Sequence, residues 1–215
     1  MTFIEQFKKI MQDAMPAFLA NPFIKDCEAG RIDARALYTY IYQDNIYLDV
    51  YLPLFSKGLD NFGIDSESLR QFEGDQETEP HLMLQKLADE KDPAAKATIT
   101  KEWLPATTGY LKHIQDSQKE GDFIFLCSLA ACPYVYGYLT EKMIESGQIK
   151  KGNPFYPWFD FYKGTDGQLT VDFMKVLEEE ADKVDEEMQS RGLTAFYQAV
   201  QFENDFFEQS LEKEG

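Results

Sequence analysis

Apolar residues recur along almost the whole chain at spacings of three and four positions, which is the period of an amphipathic helix. The pattern is clear at the start, where Phe3, Phe7, Met11 and Phe18 would share one helix face behind Thr2 as N-cap. No segment alternates with period two for long enough to predict a strand. The sequence therefore predicts an all-α fold of about eight or more packed helices.

Proline, glycine and capping residues predict where the helices begin and end. We expect Pro80 to kink or interrupt the helix that carries His81, because a helix interior needs the N–H that proline lacks. Gly192 is expected to separate a strongly acidic helix, Leu169–Arg191, from the last helix. The other helices are expected to start near Pro22, Asp33, Asp65, Pro93, Pro105, Phe123 and Tyr156.

The most apolar stretch is Phe123–Leu139, which reads FIFLCSLAACPYVYGYL. Such a run is either a membrane span or a helix buried on every side. The buried helix fits better, since the run barely reaches spanning length and contains proline, glycine and three tyrosines. We therefore predict a central core helix. Because Pro133 has no N–H, the carbonyl of Leu129 should lose its helical partner close to Cys132.

Composition narrows the class of protein. The 215 residues are 44% hydrophobic, which is ample for one core, and no break in composition divides residues 1–215 into two domains. The 38 acidic and 21 basic residues give a net charge of −17, which argues against nucleic acid or an anionic membrane as partner. Three cysteines without paired spacing and a charged N-terminal segment are typical of a cytoplasmic protein.

Two acidic residues interrupt otherwise apolar stripes. Asp44 lies in the stripe of the long helix after Asp33, and Glu203 lies in that of the last helix. Burying a carboxylate is costly unless it is hydrogen-bonded or protonated. These acids and Cys132, on three different helices, therefore suggest an internal pocket. The alternative is that each acid is a satisfied structural group.

Neighbouring residues could complete such a pocket. Tyr136 is one helical turn after Cys132, and Tyr47 is three residues after Asp44, so each shares a face with its partner. A lone buried cysteine is more often an inert small hydrophobe, and we expect this of Cys27 and Cys127. Most tyrosines would ordinarily lie at the edge of a core with the hydroxyl in water.

A metal site is the competing chemistry. Glu77 and His81 have the i, i+4 spacing of two ligands on one helix, and His113 is the only other imidazole. A di-iron site would need this pattern repeated on a second helix, and the last helix has no histidine near Glu203. We therefore predict no metal. No phosphate-binding glycine loop or dinucleotide motif is present either, and no cofactor is predicted.

Six segments hold the residues that could form the site. In order they are YIYQDNIYL (Asp44, Tyr47), Glu77 with His81, LPATTGYLKHI (Tyr110), AACPYVYGYLTEKM (Cys132, Tyr136), YPWFDFYKG (Tyr162) and VQFENDFFEQ (Glu203). Together they resemble the TenA family, the thiaminase II-type aminopyrimidine hydrolases with a heme-oxygenase-like helical fold, and the resemblance covers essentially the whole chain. The sequence departs from the family at Asn21, where histidine is frequent, at Ala131, where proline is usual, and at Phe161 and Lys163, where a small polar residue and glycine are common.

The resemblance implies a reaction and a site. The family hydrolyses the C–N bond that joins a 4-aminopyrimidine methylene to a leaving amine, in thiamin or in 4-amino-5-aminomethyl-2-methylpyrimidine. By matching motif, Cys132 would be the nucleophile, Glu203 would protonate the ring nitrogen, and Asp44 would hold the exocyclic amino group. The residues expected to line the substrate site are Tyr47, Tyr110, Tyr136 and Tyr162. A homotetramer is also implied.

Two other functions stay open from the sequence. One is a non-catalytic, pyrimidine-binding or regulatory protein of the same fold. The other is a metal-dependent oxidase or a relative of the quinone-cofactor oxygenases. Between thiamin and its degraded pyrimidine the sequence does not choose.

Overall fold

The computed structural model describes residues 1–64, 75–165 and 167–211, and it places side chains in these ranges except at 75–78 and 164–170. Within these ranges the fold is all-α, as predicted, and the nearest approach to a sheet is one isolated bridge between Lys151 and Asn153. The predicted helix start at Asp65-Ser66 lies outside the described residues. The helices are α1 (Phe3–Ala20), α2 (Pro22–Glu28), α3 (Ala34–Asn61), α4 (Asp75–Lys91), a 3-10 helix (Pro93–Ala97), α5 (Pro105–Glu120), α6 (Asp122–Leu129), α7 (Ala131–Glu145), α8 (Tyr156–Thr165), α9 (Gly167–Ala181) and α10 (Glu186–Gln209).

Local side-chain caps start several helices where the sequence predicted them. Thr2 and Glu5 form a reciprocal capping box at α1, in which each side chain accepts a hydrogen bond from the other residue's backbone N–H. Asp33 accepts from the N–H of Ala36 at 2.7 Å and caps α3. Pro80 does not interrupt its helix, since α4 is continuous through it.

The predicted central helix is two helices rather than one. Residues Phe123–Leu129 of α6 are all buried, and α7 begins after a single residue, Ala130. The combined segment Asp122–Glu145 is long and apolar enough to span a membrane by length and composition, but 78% of its most apolar window is buried inside the bundle. This is the pattern of a core helix, and the interruption lies just before Pro133.

Helix α6 lies between α3 and α10, and a glycine on each side permits the close approach. A Cβ atom on Gly58 of α3 would collide with Cδ1 of Leu129. A Cβ on Gly192 of α10 would lie 2.7 Å from Cε1 of Phe123 and 2.9 Å from Sγ of Cys127. The prediction that Gly192 separates two helices is therefore wrong, because this glycine lies inside α10 at a packing contact.

The actual break falls earlier, inside the acidic segment. Helix α9 ends at Ala181, and α10 begins at Glu186 behind Asp185, whose carboxylate accepts from the N–H of Met188 at 2.8 Å. The expected single helix Leu169–Arg191 is thus divided by an aspartate cap that the run of acidic residues concealed.

The first N–H groups of α5 are not capped by the side chain of Leu104, its N-cap residue. A side chain of α10 accepts their hydrogen bonds instead. Oε1 of Gln209 accepts from the N–H groups of Ala106 and Thr107 at 3.0 and 3.3 Å. Nε2 of Gln209 donates to Oγ1 of Thr107, and this hydroxyl donates to Gln43 of α3 at 2.8 Å. A buried polar network therefore joins α3, α5 and α10 beside the site described next.

Candidate functional site

The seven side chains predicted as site residues come from five helices and lie together inside the bundle. Six of them are buried, and Cys132 is half-buried. No single helix could assemble this set, since the residues span the chain from α3 to α10. Their positions are Asp44 and Tyr47 on α3, Tyr110 on α5, Cys132 and Tyr136 on α7, Tyr162 on α8 and Glu203 on α10.

Glu203 is the most strongly perturbed acid of this group. Its side chain is 3% exposed, and burial raises the pKa of its carboxyl to about 8, with a further upward contribution from the charge of Asp44. The neighbouring Tyr110 and Cys132 lower this pKa, but burial outweighs them. At neutral pH Glu203 is therefore largely protonated and can act as a hydrogen-bond or proton donor.

Three polar atoms around Glu203 are buried without a well-aligned hydrogen bond among the described residues. They are Oε1 of Glu203 and the hydroxyls of Tyr47 and Tyr110. A buried polar atom without a partner costs about 1 to 3 kcal/mol, so native structures rarely keep several together unless something binds there. The cluster is therefore a candidate contact surface for a polar ligand.

Asp44 has a partner that the sequence analysis did not assign to it. Nε2 of His81, on α4, lies 2.6 Å from Oδ2 of Asp44, and both residues are 7% exposed. An imidazole N–H that faces a carboxylate donates to it and fixes its orientation. The side chain of Glu77, which the i, i+4 spacing paired with His81 as an ion pair rather than as metal ligands, lies outside the described residues.

A pattern in α4 could have revealed this pair. His81, Leu84 and Ala88 are buried at i, i+3 and i+7, so His81 is a polar residue on an apolar stripe, as Asp44 and Glu203 are.

Among the residues with described side chains, no group of three His, Cys, Asp or Glu residues is placed to hold a metal ion.

One wall of the site is a stack of aromatic rings. The ring of Tyr47 lies 5.0 Å from that of Tyr110 and 5.1 Å from that of Tyr51, with interplanar angles of 26° and 18°. Phe202 extends the stack beyond Tyr110, and Phe55 extends it beyond Tyr51. Stacked rings present a flat, rigid, apolar face to a ligand at little entropic cost.

A second group of rings surrounds Tyr136. Its ring centroid lies 4.7 Å from that of Tyr162, and its hydroxyl shares a 2.5 Å hydrogen bond with the hydroxyl of Tyr40. Burial raises the pKa of Tyr136 well above its ordinary value, and the charges of Asp44 and Glu203 raise it further, so these groups belong to one electrostatic environment. Sequence analysis did not single out Tyr40, because its tie to Tyr136 joins positions 96 residues apart.

Cys132 differs from the other two cysteines in its surroundings. Cys27 and Cys127 are completely buried, and burial raises the pKa of each thiol well above its ordinary value, which makes them inert. Cys132 is the second residue of α7 and is partly accessible. It lies close enough to Glu203 to lower the pKa of that carboxyl.

These features define a class of protein, a helical bundle with an internal site made of a thiol, a protonated carboxyl group and stacked tyrosines. The sequence profile of the TENA/THI-4/PQQC family matches residues 17–213, and the chain belongs to this family. The resemblance found in the sequence is thereby confirmed.

Known proteins that resemble this chain match it over nearly its full length. The aminopyrimidine aminohydrolase of Staphylococcus saprophyticus is 24% identical over 222 residues, which cover 100% of this chain and 96% of that relative. A TenA homologue from P. horikoshii OT3 has a TM-score of 0.70 at 16% identity, over 98% of both chains. A TenA family transcription regulator from Silicibacter sp. TM1040 has a TM-score of 0.69 at 18% identity, over 97% of both chains. The two solved structures support the fold.

Proposed function

We propose that the protein is an aminopyrimidine aminohydrolase of the thiaminase II type. Its substrate would be 4-amino-5-aminomethyl-2-methylpyrimidine, thiamin or both, and its product 4-amino-5-hydroxymethyl-2-methylpyrimidine. The observation that carries the proposal is the juxtaposition of Cys132 with a buried carboxyl, Glu203, whose pKa is raised to about 8. The full-length similarity to curated aminopyrimidine aminohydrolases supports it.

The reaction needs both groups because a neutral pyrimidine is a poor electrophile. Glu203 would donate its proton to a ring nitrogen while the thiolate of Cys132 adds to the adjacent ring carbon. A carboxyl group that is still protonated at neutral pH suits the first role. A thiol suits the second, since it needs the least help from a base among protein nucleophiles.

The remaining steps return the protein to its starting state. Once addition has broken the aromaticity of the ring, the C–N bond breaks, the leaving group takes the electron pair and an exocyclic C=C bond forms. The proton that the Cys132 thiol lost on addition would pass to the leaving amine of the aminomethylpyrimidine, or to solvent when the neutral thiazole of thiamin leaves. Water then adds its oxygen to the methylene carbon and gives up one proton, which returns to the Cys132 sulfur as the C–S bond breaks. The ring nitrogen returns its proton to Glu203, and the ring becomes aromatic again. The net reaction is hydrolysis, which consumes one water and releases one amine.

The other site residues would bind the substrate. Asp44, oriented by His81, would accept a hydrogen bond from the exocyclic amino group. The stack that contains Tyr47 and Tyr110 would cover one face of the ring, and their unpartnered hydroxyls would bond polar atoms of the substrate or leaving group. Tyr136 and Tyr162 would close the other side.

Release of hydroxymethylpyrimidine and amine from each candidate substrate tests the proposal. We expect Cys132→Ser and Glu203→Gln to lose at least about a hundredfold in kcat/KM. The matched control, Cys127→Ala, changes a completely buried cysteine outside the site and should retain activity. A Cys132→Ser protein as active as wild type would contradict the role of the nucleophile. Binding measured by calorimetry without any turnover would instead support a regulatory protein, and stoichiometric iron would support an oxidase.

A competition assay with thiamin and the aminomethylpyrimidine would identify the preferred substrate. We further propose that the protein acts in thiamin salvage in the cytoplasm, as a homotetramer. The proposed assembly follows the family resemblance, and light scattering tests it. A mass near the 24.8 kDa of one chain would contradict the tetramer.

A further inference from the structure

The junction between α6 and α7 is held from α3 by a tyrosine hydroxyl. Oη of Tyr51 donates a 2.8 Å hydrogen bond to the backbone carbonyl of Leu129. In an uninterrupted helix this carbonyl would accept from the N–H four residues later, but that residue is Pro133, which has none. Tyr51 and Leu129 are both buried, so water does not readily replace the hydroxyl.

Helix α3 contacts Leu129 at a second point two turns further along. Gly58 lies so close to the Leu129 side chain that a Cβ atom would collide with it. Tyr51 and Gly58 are seven residues apart and therefore share one face of α3. The close packing at Gly58 keeps the Tyr51 hydroxyl within reach of the carbonyl.

Leu129 is connected to the thiol by a very short stretch of backbone. Helix α6 ends at Leu129, Ala130 follows, and Cys132 is the second residue of α7. The N–H of Tyr134 donates to the carbonyl of Ala130 at 3.3 Å and begins the hydrogen-bond ladder of α7. A change in the orientation of the Leu129 carbonyl is therefore transmitted over three residues to Cys132.

The same tyrosine also supports the substrate-facing stack. Its ring lies 5.1 Å from that of Tyr47 and 5.2 Å from that of Phe55, with interplanar angles of 18° and 19°. The ring thus belongs to the aromatic wall, while the hydroxyl belongs to the helix junction. Replacing tyrosine by phenylalanine would separate these two contributions, because it removes only the hydroxyl.

We propose that Tyr51 is a positioning residue for Cys132, supplying the donor that Pro133 lacks and thereby fixing the start of α7 that carries the thiol. The inference rests on the proposed function, in which Cys132 is the nucleophile. It concerns two residues, a proline just after the cysteine and a tyrosine on the facing helix. It also explains how α7 can begin next to a proline without leaving a buried carbonyl unpaired.

Four variants test the proposal: Tyr51→Phe, Pro133→Ala, the two combined, and the control Tyr42→Phe. Tyr42 also donates a 2.8 Å hydrogen bond to a backbone carbonyl, that of Lys101, but this hydrogen bond is exposed to solvent. The measurements are kcat and KM, urea unfolding, and the rate of alkylation of Cys132 by iodoacetamide from pH 6 to 10, resolved by peptide mass spectrometry.

For Tyr51→Phe we expect kcat about tenfold lower with little change in KM, because a misplaced nucleophile affects the reaction more than binding. Alkylation of Cys132 should slow. In the double variant the Pro133→Ala change restores a backbone N–H that can donate to the Leu129 carbonyl. We therefore expect kcat and the rate of Cys132 alkylation to return most of the way to their wild-type values. Tyr42→Phe should resemble wild type in kcat and in alkylation.

Two results would overturn the proposal. One is a Tyr51→Phe protein that unfolds more easily but keeps the wild-type alkylation profile, which would make the hydrogen bond purely structural. The other is a folded double variant that recovers nothing. Should the double variant fail to fold, kcat and Cys132 alkylation of Tyr51→Phe, compared with those of Tyr42→Phe, still test the proposal. Alkylation does not depend on the substrate, so a wild-type protein without hydrolase activity would contradict the proposed function and leave this test intact.

Discussion

His81 and Asp44 form a buried pair across two helices, with Nε2 of His81 2.6 Å from Oδ2 of Asp44. Each side chain alone would be an uncompensated polar group in an apolar interior, and together they satisfy one another. The pair fixes the orientation of the carboxylate that the proposed function assigns to the exocyclic amino group. It also anchors α4 to α3 at the site.

Removal of the imidazole should therefore affect both stability and activity. For His81→Asn we expect the free energy of unfolding to fall by about 1 to 3 kcal/mol, because Asp44 remains buried without its partner. We expect kcat/KM to fall about tenfold. A double-mutant cycle with Asp44→Asn should give a coupling energy of about 1 to 3 kcal/mol in urea unfolding. Additive effects of the two substitutions would show that the contact contributes nothing.

The raised pKa of Glu203 predicts a pH dependence of stability. The carboxyl has an ordinary pKa of 4.5 in the unfolded chain and about 8 in the folded protein, so the folded state binds the proton more tightly. The contribution of Glu203 is therefore most favourable below pH 4.5 and is lost as the pH rises to about 8, at up to about 1.4 kcal/mol per pH unit. In urea unfolding at several pH values, Glu203→Gln should abolish this decrease of stability with rising pH. Glu208→Gln, which changes an exposed residue on the same helix, should not.

The same carboxyl predicts the pH profile of activity. Because the protonated form is the proposed proton donor, kcat/KM should decrease above pH about 8. A rate that stays constant from pH 7 to 10 in wild type would contradict the role of Glu203 as an acid. The Glu208→Gln protein again serves as the control, and it should reproduce the wild-type profile.

Gly192→Ala should destabilise the protein even though alanine favours helices. The added methyl group would lie 2.7 Å from the ring of Phe123 and 2.9 Å from the sulfur of Cys127, both in the buried α6. Overpacking of this kind costs about 1 to 3 kcal/mol, which exceeds the gain of about 1 kcal/mol in helix propensity. A urea midpoint for Gly192→Ala equal to or above that of wild type would contradict the prediction.

Gln209 should be necessary for α5 as well as for α10. Gln209→Leu leaves the N–H groups of Ala106 and Thr107 buried without an acceptor, and we expect a loss of about 1 to 3 kcal/mol in the free energy of unfolding. Gln209→Glu keeps the acceptor and places a negative charge at a helix N-terminus, so it should lose less. Urea unfolding tests this cap. We expect wild type to be the most stable, Gln209→Glu to be less stable, and Gln209→Leu to be the least stable.

Much of the fold could be predicted because helical period and end signals are local. The burial of Asp44 and Glu203 was predicted from interrupted stripes and is confirmed, while their roles in a reaction are proposals. The loss of a donor at Pro133 could be predicted because proline has no N–H, whatever its tertiary contacts. That Tyr51 donates to the Leu129 carbonyl instead was not predictable, because Tyr51 and Leu129 are 78 positions apart and nothing in either segment points to the other.

The error at Gly192 has a physical cause as well. Gly192 looked like a helix end because glycine usually is one, but here the missing side chain makes room for α6. The partner of His81 on α3, Asp44, was likewise not predictable from the spacing within α4. In both cases a contact between distant segments decided the outcome, and periodicity within one helix carries no information about such contacts.

The cap of α5 by Gln209 has a consequence for the rate of folding. Thr107 and Gln209 are 102 residues apart, and the hydrogen bond from Asn21, the N-cap of α2, to Asn204 of α10 joins positions 183 residues apart. Helical proteins usually fold quickly because their contacts are local, and loops this long must close before such contacts form. We therefore expect this protein to refold more slowly than an up-and-down bundle of equal length, with the docking of α10 as the late event.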